Sequence, residues 1–482
     1  RGLGDRYSMT SLNGFPIASP NPDNKLIPLT LFPTTIVKNI TVSKVYEPSV
    51  FGDYSGAHIN IETKENIGAD FLTFALSTGG KTNTIFKDFY SSDKGGQGIP
   101  YLGIVSKSKL SSRIKNMHSD DFIDYTRQYD PFKTSFSIKK NSALPELGLE
   151  FGAGKSWKIG RQKLNAIVAL NFNNGYTTKE NAYNSLVNAQ GNISSRSEYD
   201  EYMYETTTSG LGQISYSLRD NDMISYNILY VNNTEDIYSR RNIIDPEGND
   251  LIGSNSIYHI YSLLNNQLTG KHQFLGRLFA DWQLSYGRTA SDEPDRRQVV
   301  FARNTNNTLS LFKLNQQGTM RYFGELFEDE YNGEAKLKYN LNKADIPNHI
   351  RLGVSMRKKS RDFYSSNFYY DIKSINPQID NIYNTDDYLG LSSIADGSIT
   401  INKNSQPRNK YFADTRIAAT FIDFEYYPVK NLSISGGVRY EKSEQKVHYW
   451  TDGAQDSIKK LNEGDFFPAL NLKYMPKEKI TI

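Results

Sequence analysis

Few stretches of this 482-residue chain have residue types and spacing that could carry covalent chemistry. Gly79, Gly80, Lys81 and Thr82 end as a phosphate-binding loop does, but the first glycine of that motif falls at Ala75 and no helical periodicity follows. Ser106 and Lys109 have the separation of a Ser–Lys nucleophile, without the further motifs that orient an acyl group. Residues 245–250 (DPEGND) and 384–387 (NTDD) offer oxygen donors of the kind that suit Ca²⁺, yet not at EF-hand spacing. Asp, Asn and Gly in such runs are turn formers first. The six His are scattered without ligand spacing, no HExxH is present, and with no Cys there is no disulfide framework or thiolate zinc site. The chain is therefore expected not to be an enzyme and to need neither metal nor cofactor.

The elements that would position any site are strands. The hydrophobic fraction is 38% while aromatics reach 13%, from 33 Tyr and 25 Phe among them, and the mean hydropathy is -0.58. Disordered chains are poor in rings, so so many of them speak against disorder. A net charge of +3 leaves no basic footprint for nucleic acid. No run of about 18 apolar residues marks a membrane helix. From about Lys64 onward, apolar and polar residues alternate with period two, the pattern of strands with unlike faces. Leu278, Ala280, Trp282, Leu284 and Tyr286 oppose Asp281, Gln283 and Ser285. Leu432, Ile434, Val438 and Tyr440 oppose Ser433, Ser435, Arg439 and Glu441.

Connections decide between a soluble sandwich and a membrane barrel. Tight links near residues 159–163, 219–221, 275–277, 343–347, 428–430 and 476–478 alternate with long ones at 178–202, 239–256, 292–324, 365–410 and 451–464. Outer-membrane barrels have this rhythm, with short turns on one side and long loops on the other. Strands of about 12 to 18 residues exceed the usual globular length of about 5 to 6. Rings gather at strand ends, as at Tyr364, Phe368, Tyr369, Tyr370, Phe424, Tyr426, Tyr427, Tyr449 and Trp450, where interfacial girdles belong. About twelve crossings are expected between Phe71 and Tyr474, and a thirteenth from Ile480.

The first 64 residues carry a more specific signal. "RGLGDRYSMTSLNGFPIA" and "LTLFPTTIVKNITVSKVYEPSVFGDYSGAHINIETK" resemble the second half of the plug of TonB-dependent outer-membrane transporters. The matching positions are Arg1-Gly2, Asn13-Gly14, Phe32-Pro33, Ile40-Thr41-Val42 with Lys44, Phe51-Gly52, Ser55-Gly56-Ala57, Ile59-Asn60-Ile61 and Thr63-Lys64. The subtype is similar to bacteroidete receptors, with Gly56-Ala57 where those have Gly-Gly and with Asp53-Tyr54 just before it. Physically, Asn13-Gly14 supplies a positive-φ hairpin turn, and Gly52 and Gly56 permit close backbone passage.

This resemblance implies an all-β fold with a small α/β plug. Residues 1–66 are then the C-terminal part of the plug, and 67–482 the N-terminal part of a transmembrane antiparallel β-barrel of the ~22-strand class, too wide to be sealed by side chains alone. The first twelve or thirteen strands are expected here, with part of the plug before Arg1 and further strands after Ile482. It also implies a receptor in the outer membrane of a Gram-negative bacterium, which binds a ligand outside the cell and imports it with energy transmitted by TonB and its inner-membrane complex. The expected partners are TonB, outer-membrane lipid, a surface lipoprotein, and a small-molecule, oligosaccharide or peptide ligand, with no nucleic acid. Ligand contacts are expected at the plug apex, at Phe15, Pro20, Asn21, Asp23, Asn24 and Lys25, and at Arg and Tyr of the long loops. A capped helix from Ser119 would shape the ligand entrance. Arg439 and Glu441 should face the lumen as part of a polar plug–barrel interface. A passive porin, an adhesion or assembly scaffold on the same barrel, and an outer-membrane enzyme are the alternatives. The porin would lack the plug, and the enzyme would need a catalytic constellation that the sequence does not show.

Overall fold

The computed structural model describes residues 7–17, 19, 27, 29, 32, 37–64, 70–94, 98–105, 109–219, 221–274, 276–312, 318–342, 348–372, 378–404, 406–429, 431–451 and 455–475. Strands β1 (Met9–Leu12), β2 (Phe15–Pro16), β3 (Val37–Ser43) and β4 (His58–Thr63) form a small sheet in the order β2-β1-β4-β3. Asn13 and Gly14 take φ of 50° and 90°, which closes the β1–β2 hairpin with Leu12 opposite Phe15. Among the described residues no α-helix accompanies this sheet, where a small α/β unit is expected. Arg1, Gly2 and Pro33 of the expected motif lie outside the described residues.

Strand β5 (Phe71–Gly79) opens a second, much larger sheet. The segment after it holds β6 (Asp88–Ser92), β7 (Gly98–Ile99), β8 (Ile104–Val105), α1 (Ser112–Asn116), α2 (Ser119–Thr126) and β9 (Ile138–Ser142). The wall continues with β10 (Glu146–Ile159), β11 (Gln162–Val187), β12 (Ile193–Arg219), β13 (Asp222–Ile244), β14 (Asp250–Phe274) and β15 (Leu278–Arg303). After the short β16 (Leu309–Leu311) come β17 (Met320–Asn340) and β18 (His349–Ile372). Helices α3 (Asp386–Leu389) and α4 (Leu391–Ala395) and strand β19 (Ile399–Asn404) precede β20 (Lys410–Val429), β21 (Leu432–Trp450) and β22 (Asp456–Tyr474). The path β5-β10-β11-β12-β13-β14-β15-β17-β18-β20-β21-β22 is antiparallel throughout, so its twelve strands coincide with the twelve crossings read from alternation. Among the described residues no helix is long and apolar enough to cross a membrane.

The strands are longer than the sequence suggests. Strands β11 to β15 run 23 to 27 residues, and β11 pairs with β12 as far as Val187 and Ile193. Most of the expected long connections 178–202, 239–256 and 451–464 are thus strand. Alternation fades there because both faces of the distal strands carry polar or aromatic groups, as in residues 193–202 (ISSRSEYDEY).

The burial of the wall is inverted relative to a soluble sheet. On β18, Val354 and Met356 are 55% and 61% exposed, while Ser355 and Arg357 are 5% and 8% exposed. The same inversion sets exposed Leu284, Leu337, Ile422 and Leu470 against buried Ser285, Asn332, Asp423 and Arg439. The apolar face forms a belt about nine residues tall from the short turns, the length of a tilted membrane strand. Tyr286, Tyr331 and Tyr440 rim its far edge, and Phe424, Tyr426, Tyr339 and Tyr474 its near edge. Phe368 and Tyr370, expected in a girdle, are instead buried under α2 and residues 132–136. The cover they receive on the belt side removes them from any interface.

The polar face wraps the small sheet. The small sheet and its flanking residues touch β11 to β15, and the 44–57 connection between β3 and β4 carries the contact on to β18, β21 and β22. Leu12, Ile17, Ile27, Phe32 and Ile61 pack against Ala169, Leu211, Leu229, Val231 and Leu263 of the wall. The segment between β5 and β10 packs on the opposite face, beyond the belt. Ile228 and Tyr230 are exposed there, whereas Thr234, Asp236 and Tyr238, which continue the same face, are buried. Ser92 and Lys94 bind Asp236 at 2.8 and 2.7 Å. Helix α2 therefore lies on the belt side, with Phe122 against Phe368, and does not border the small sheet as a helix at the ligand entrance would.

Candidate functional site

The contact between small sheet and wall is rich in polar bonds. At its centre is the Asn13 turn. The Asn13 side-chain oxygen accepts from the Thr63 amide at 2.8 Å, and its amide nitrogen donates to Gln267 of β14 at 2.7 Å. Gln267 in turn donates to the Leu12 carbonyl at 2.8 Å, Gln283 of β15 donates to the Asn13 carbonyl at 3.1 Å, and the Gly14 amide donates to Asn60 at 2.8 Å. Four residues singled out in the sequence, Asn13, Gly14, Asn60 and Thr63, thus form one knot between two strands of the small sheet and two of the wall.

A second set of contacts is ionic. Arg357 of β18 reaches Asp53 at 2.9 Å and Glu330 of β17 at 3.1 Å. Arg439 of β21 is fully buried, bonds Glu441 and, at 2.7 Å, Ser355, and stacks 4.7 Å from the Phe51 ring centre. The Gly52 amide donates to Glu441 at 3.0 Å. Any side chain at Gly52 would press on the Phe467 ring, which explains the glycine. Arg439 and Glu441 therefore face the small sheet, as their place on the polar side of the alternation predicts. Gly56 is pinned close to Tyr7 and Ser8, Lys44 is exposed, and Lys64 lies just past β4.

Burial does not make this interface a single hydrophobic core. Buried pairs are held by geometry as much as by net energy, because desolvation offsets most of the Coulomb gain. Contacts of this kind can be exchanged for water or for other polar partners. The main apolar cluster lies against β11 to β14, and Phe51 and Phe467 add rings at the β21–β22 end.

Above the small sheet the inner face carries His259 of β14, with Glu235 at 3.7 Å and Glu293 at 3.5 Å. Glu293 also pairs with Arg296 across the bulge where β15 loses register with β14. Burial alone would lower the His259 pKa, but the two carboxylates outweigh it and raise it to about 9. His58, packed in the small sheet against Ser11 at 2.8 Å, is lowered by burial, which Asp53 opposes only in part. Neither histidine stands out in the sequence, since each needs partners from distant strands. Charges recurring at every second position, such as Glu328 and Glu330 on β17 and Arg357, Lys359 and Arg361 on β18, are the available signal for the inner face.

Of the expected ligand residues, Pro20, Asn21, Asp23, Asn24 and Lys25 lie outside the described residues. Phe15 is 1% exposed, at the β2 end of the small sheet. The decoys resolve as structure. Lys81 donates to the Tyr176 carbonyl at 3.1 Å, Asp245 accepts from the Asn249 amide at 2.7 Å, and Asp386 accepts from the Phe136 amide at 2.9 Å. Among the described residues no group of three His, Asp or Glu is arranged to hold a metal. Ser106 lies outside the described residues. A cavity of about 480 Å³ opens on the belt side, lined by Lys109, Lys115, Glu325, Tyr364, Lys403 and Lys410 among others.

Solved receptors offer a comparison. The siderophore receptor PiuA from Acinetobacter baumannii is similar at 10% identity and a TM-score of 0.49, over 99% of this chain and 56% of that one. The ferric-catecholate import receptor Fiu from E. coli K12 is similar at 9% identity and a TM-score of 0.38, over 99% and 77%. The ferric citrate transporter FecA follows at 9% identity and 0.24, over 99% and 75%. This chain thus spans little more than half the length of PiuA. No family model and no curated relative matches the sequence.

Proposed function

We infer that the chain is the plug-bearing portion of an outer-membrane β-barrel receptor that imports a ligand with energy transmitted by TonB. The observation that carries this reading is the inverted wall: an apolar belt of membrane height outside, and inside it a charged face that holds a separate small sheet through exchangeable polar contacts. In lipid, unpaired strand edges have no partner, so the edges at β5 and β22 call for further strands to close the barrel. A passive pore needs no sheet in its lumen. A scaffold needs no polar seam between sheet and wall. The bacteroidete subtype, a surface lipoprotein partner, the residue 1–66 and 67–482 division and the plug-apex ligand residues belong to the same proposal. Binding energy can shift the small sheet between states but cannot drive net accumulation, which is the role assigned to TonB.

The absence of Cys makes the test direct. A single cysteine at exposed Thr41 of β3, in a receptor carrying this chain, is labelled in cells with an impermeant thiol reagent. The expected result is faster labelling when TonB is present and the inner membrane energised, lost on adding a protonophore. Equal labelling under both conditions would overturn energised movement of the small sheet.

A further inference from the structure

The first outward-facing position beyond the belt is cationic on four of the five strands from β15 to β21. Arg288 follows Tyr286, Lys358 follows Met356, Arg416 follows Ala418 and Lys442 follows Tyr440, all of them exposed. The fifth strand, β17, places Asp329 there, and that carboxylate accepts the Tyr286 hydroxyl at 2.8 Å. Strands β12 to β14 carry no charge at this level, with Thr208 or Gly210, Asn232 and Ser262 in its place. The row is therefore a patch on one side of the wall, not a uniform rim.

Two of its members are in register. Lys358 lies directly opposite Arg416 across the β18–β20 pair. Like charges directly opposite destabilise a sheet. Among the described residues neither side chain, nor Lys442 beside them, makes an ion pair, whereas most charges on the inner face do. Glu444 stands opposite Arg416 on β21 but outside salt-bridge range. Further carboxylates lie farther out, Asp414 one tier beyond Arg416 and Asp362 two tiers beyond Lys358. Arg288 and Lys109 extend the patch, their charges 5.9 and 5.7 Å from the Phe327 ring centre.

We propose that Lys358 and Arg416, flanked by Lys442, bind the phosphate groups of an anionic lipid of the outer leaflet. The proposal rests on the membrane reading of the belt. A phosphate between the two cations removes their mutual repulsion, and its lipid chains run down the exposed Met356, Val354 and Leu352 on the same face. Position supplies the argument for a lipid source. The cations stand at the height where headgroups begin, and a free anion would have no reason to favour that level on one side of the wall.

The test uses the full chain in detergent, with lipid retention measured by native mass spectrometry for diphosphoryl lipid A and for the same lipid stripped of phosphate. The expected result is selective retention of the phosphorylated lipid, weakened about fivefold per charge in Lys358→Gln and Arg416→Gln and unchanged in Arg196→Gln, which lies far from the belt. Equal retention of both lipids, or no loss in the double variant with its far-UV spectrum intact, would overturn the site. Displacement of the lipid by an equal concentration of inorganic phosphate would overturn the lipid as its occupant. A chain that fails to enter detergent micelles at all would overturn the membrane reading beneath it, a result separate from loss of selectivity alone.

Discussion

Arg357 of the wall holds Asp53 of the β3–β4 connection at 2.9 Å while keeping Glu330 as its second partner. Asp53→Asn is expected to loosen the small sheet without harming the wall, because Glu330 still compensates the guanidinium. Hydrogen exchange should rise in residues 48–63 and stay level in β17 and β18. Arg357→Ala, which strands the buried Glu330, should cost about 3–5 kcal/mol of stability and affect both. Equal effects of the two changes would show that the seam is not the point of separation.

The His259 cluster predicts a pH dependence of definite sign. Its folded pKa, raised to about 9 from an ordinary 6.5, adds stability fully present below about pH 6.5 and lost as the pH climbs through 9. The loss should approach, at most, about 3 kcal/mol. Thermal unfolding between pH 6 and 10 measures it, and His259→Gln should flatten the slope. His58 acts in the opposite direction. Its lowered pKa makes protonation costly, so the small sheet should loosen as pH falls below 6.5.

A charge in the belt should be penalised by depth. Val354→Lys is expected to cost about 2–4 kcal/mol in a lipid-inserted wall. Ser355→Lys, one residue on but facing inward, should leave insertion into vesicles near normal and disturb Arg439 instead. If both positions tolerate Lys equally, the exposed face is not in contact with lipid.

The turn at Gly14 makes a smaller prediction. With φ at 90°, Gly14→Ala should cost about 1 kcal/mol and leave the Asn13 contacts in place. Asn13→Ala removes bonds to Thr63 and Gln267 together and should release the β1–β2 hairpin to protease well before the wall opens.

Much of the wall could be read from sequence because one face meets an apolar medium and the other a polar one. Ala280 to Tyr286 alternate without interruption, and the belt occupies those positions. The far ends of β11 to β14, within the expected connections 178–202 and 239–256, lack this contrast, because polar and aromatic residues such as Ser197, Glu198, Tyr199, Asp200, Glu201 and Tyr202 occupy both faces. The Asn13-Gly14 turn was legible because only a few residue types accept positive φ. Arg357 with Asp53, 304 residues apart, was not, since its meaning depends on the register of the whole wall. The same holds for His259, whose two carboxylates come from neighbouring strands on either side.

The order of strands in the wall has a consequence for assembly. Each of the twelve pairs with the one before it in the chain, apart from the short additions of β16 and β19. Most of these pairings therefore close only a short loop, which keeps the entropic cost of each step small; β5–β10, across residues 80–145, and β18–β20, across residues 373–409, are the long closures. A wall of this kind can be laid down one hairpin at a time, with the last strand serving as template for the next. The small sheet with its β3–β4 connection is the exception, since together they touch strands from β11 to β22 and gain their full set of partners only when the lining around them is complete.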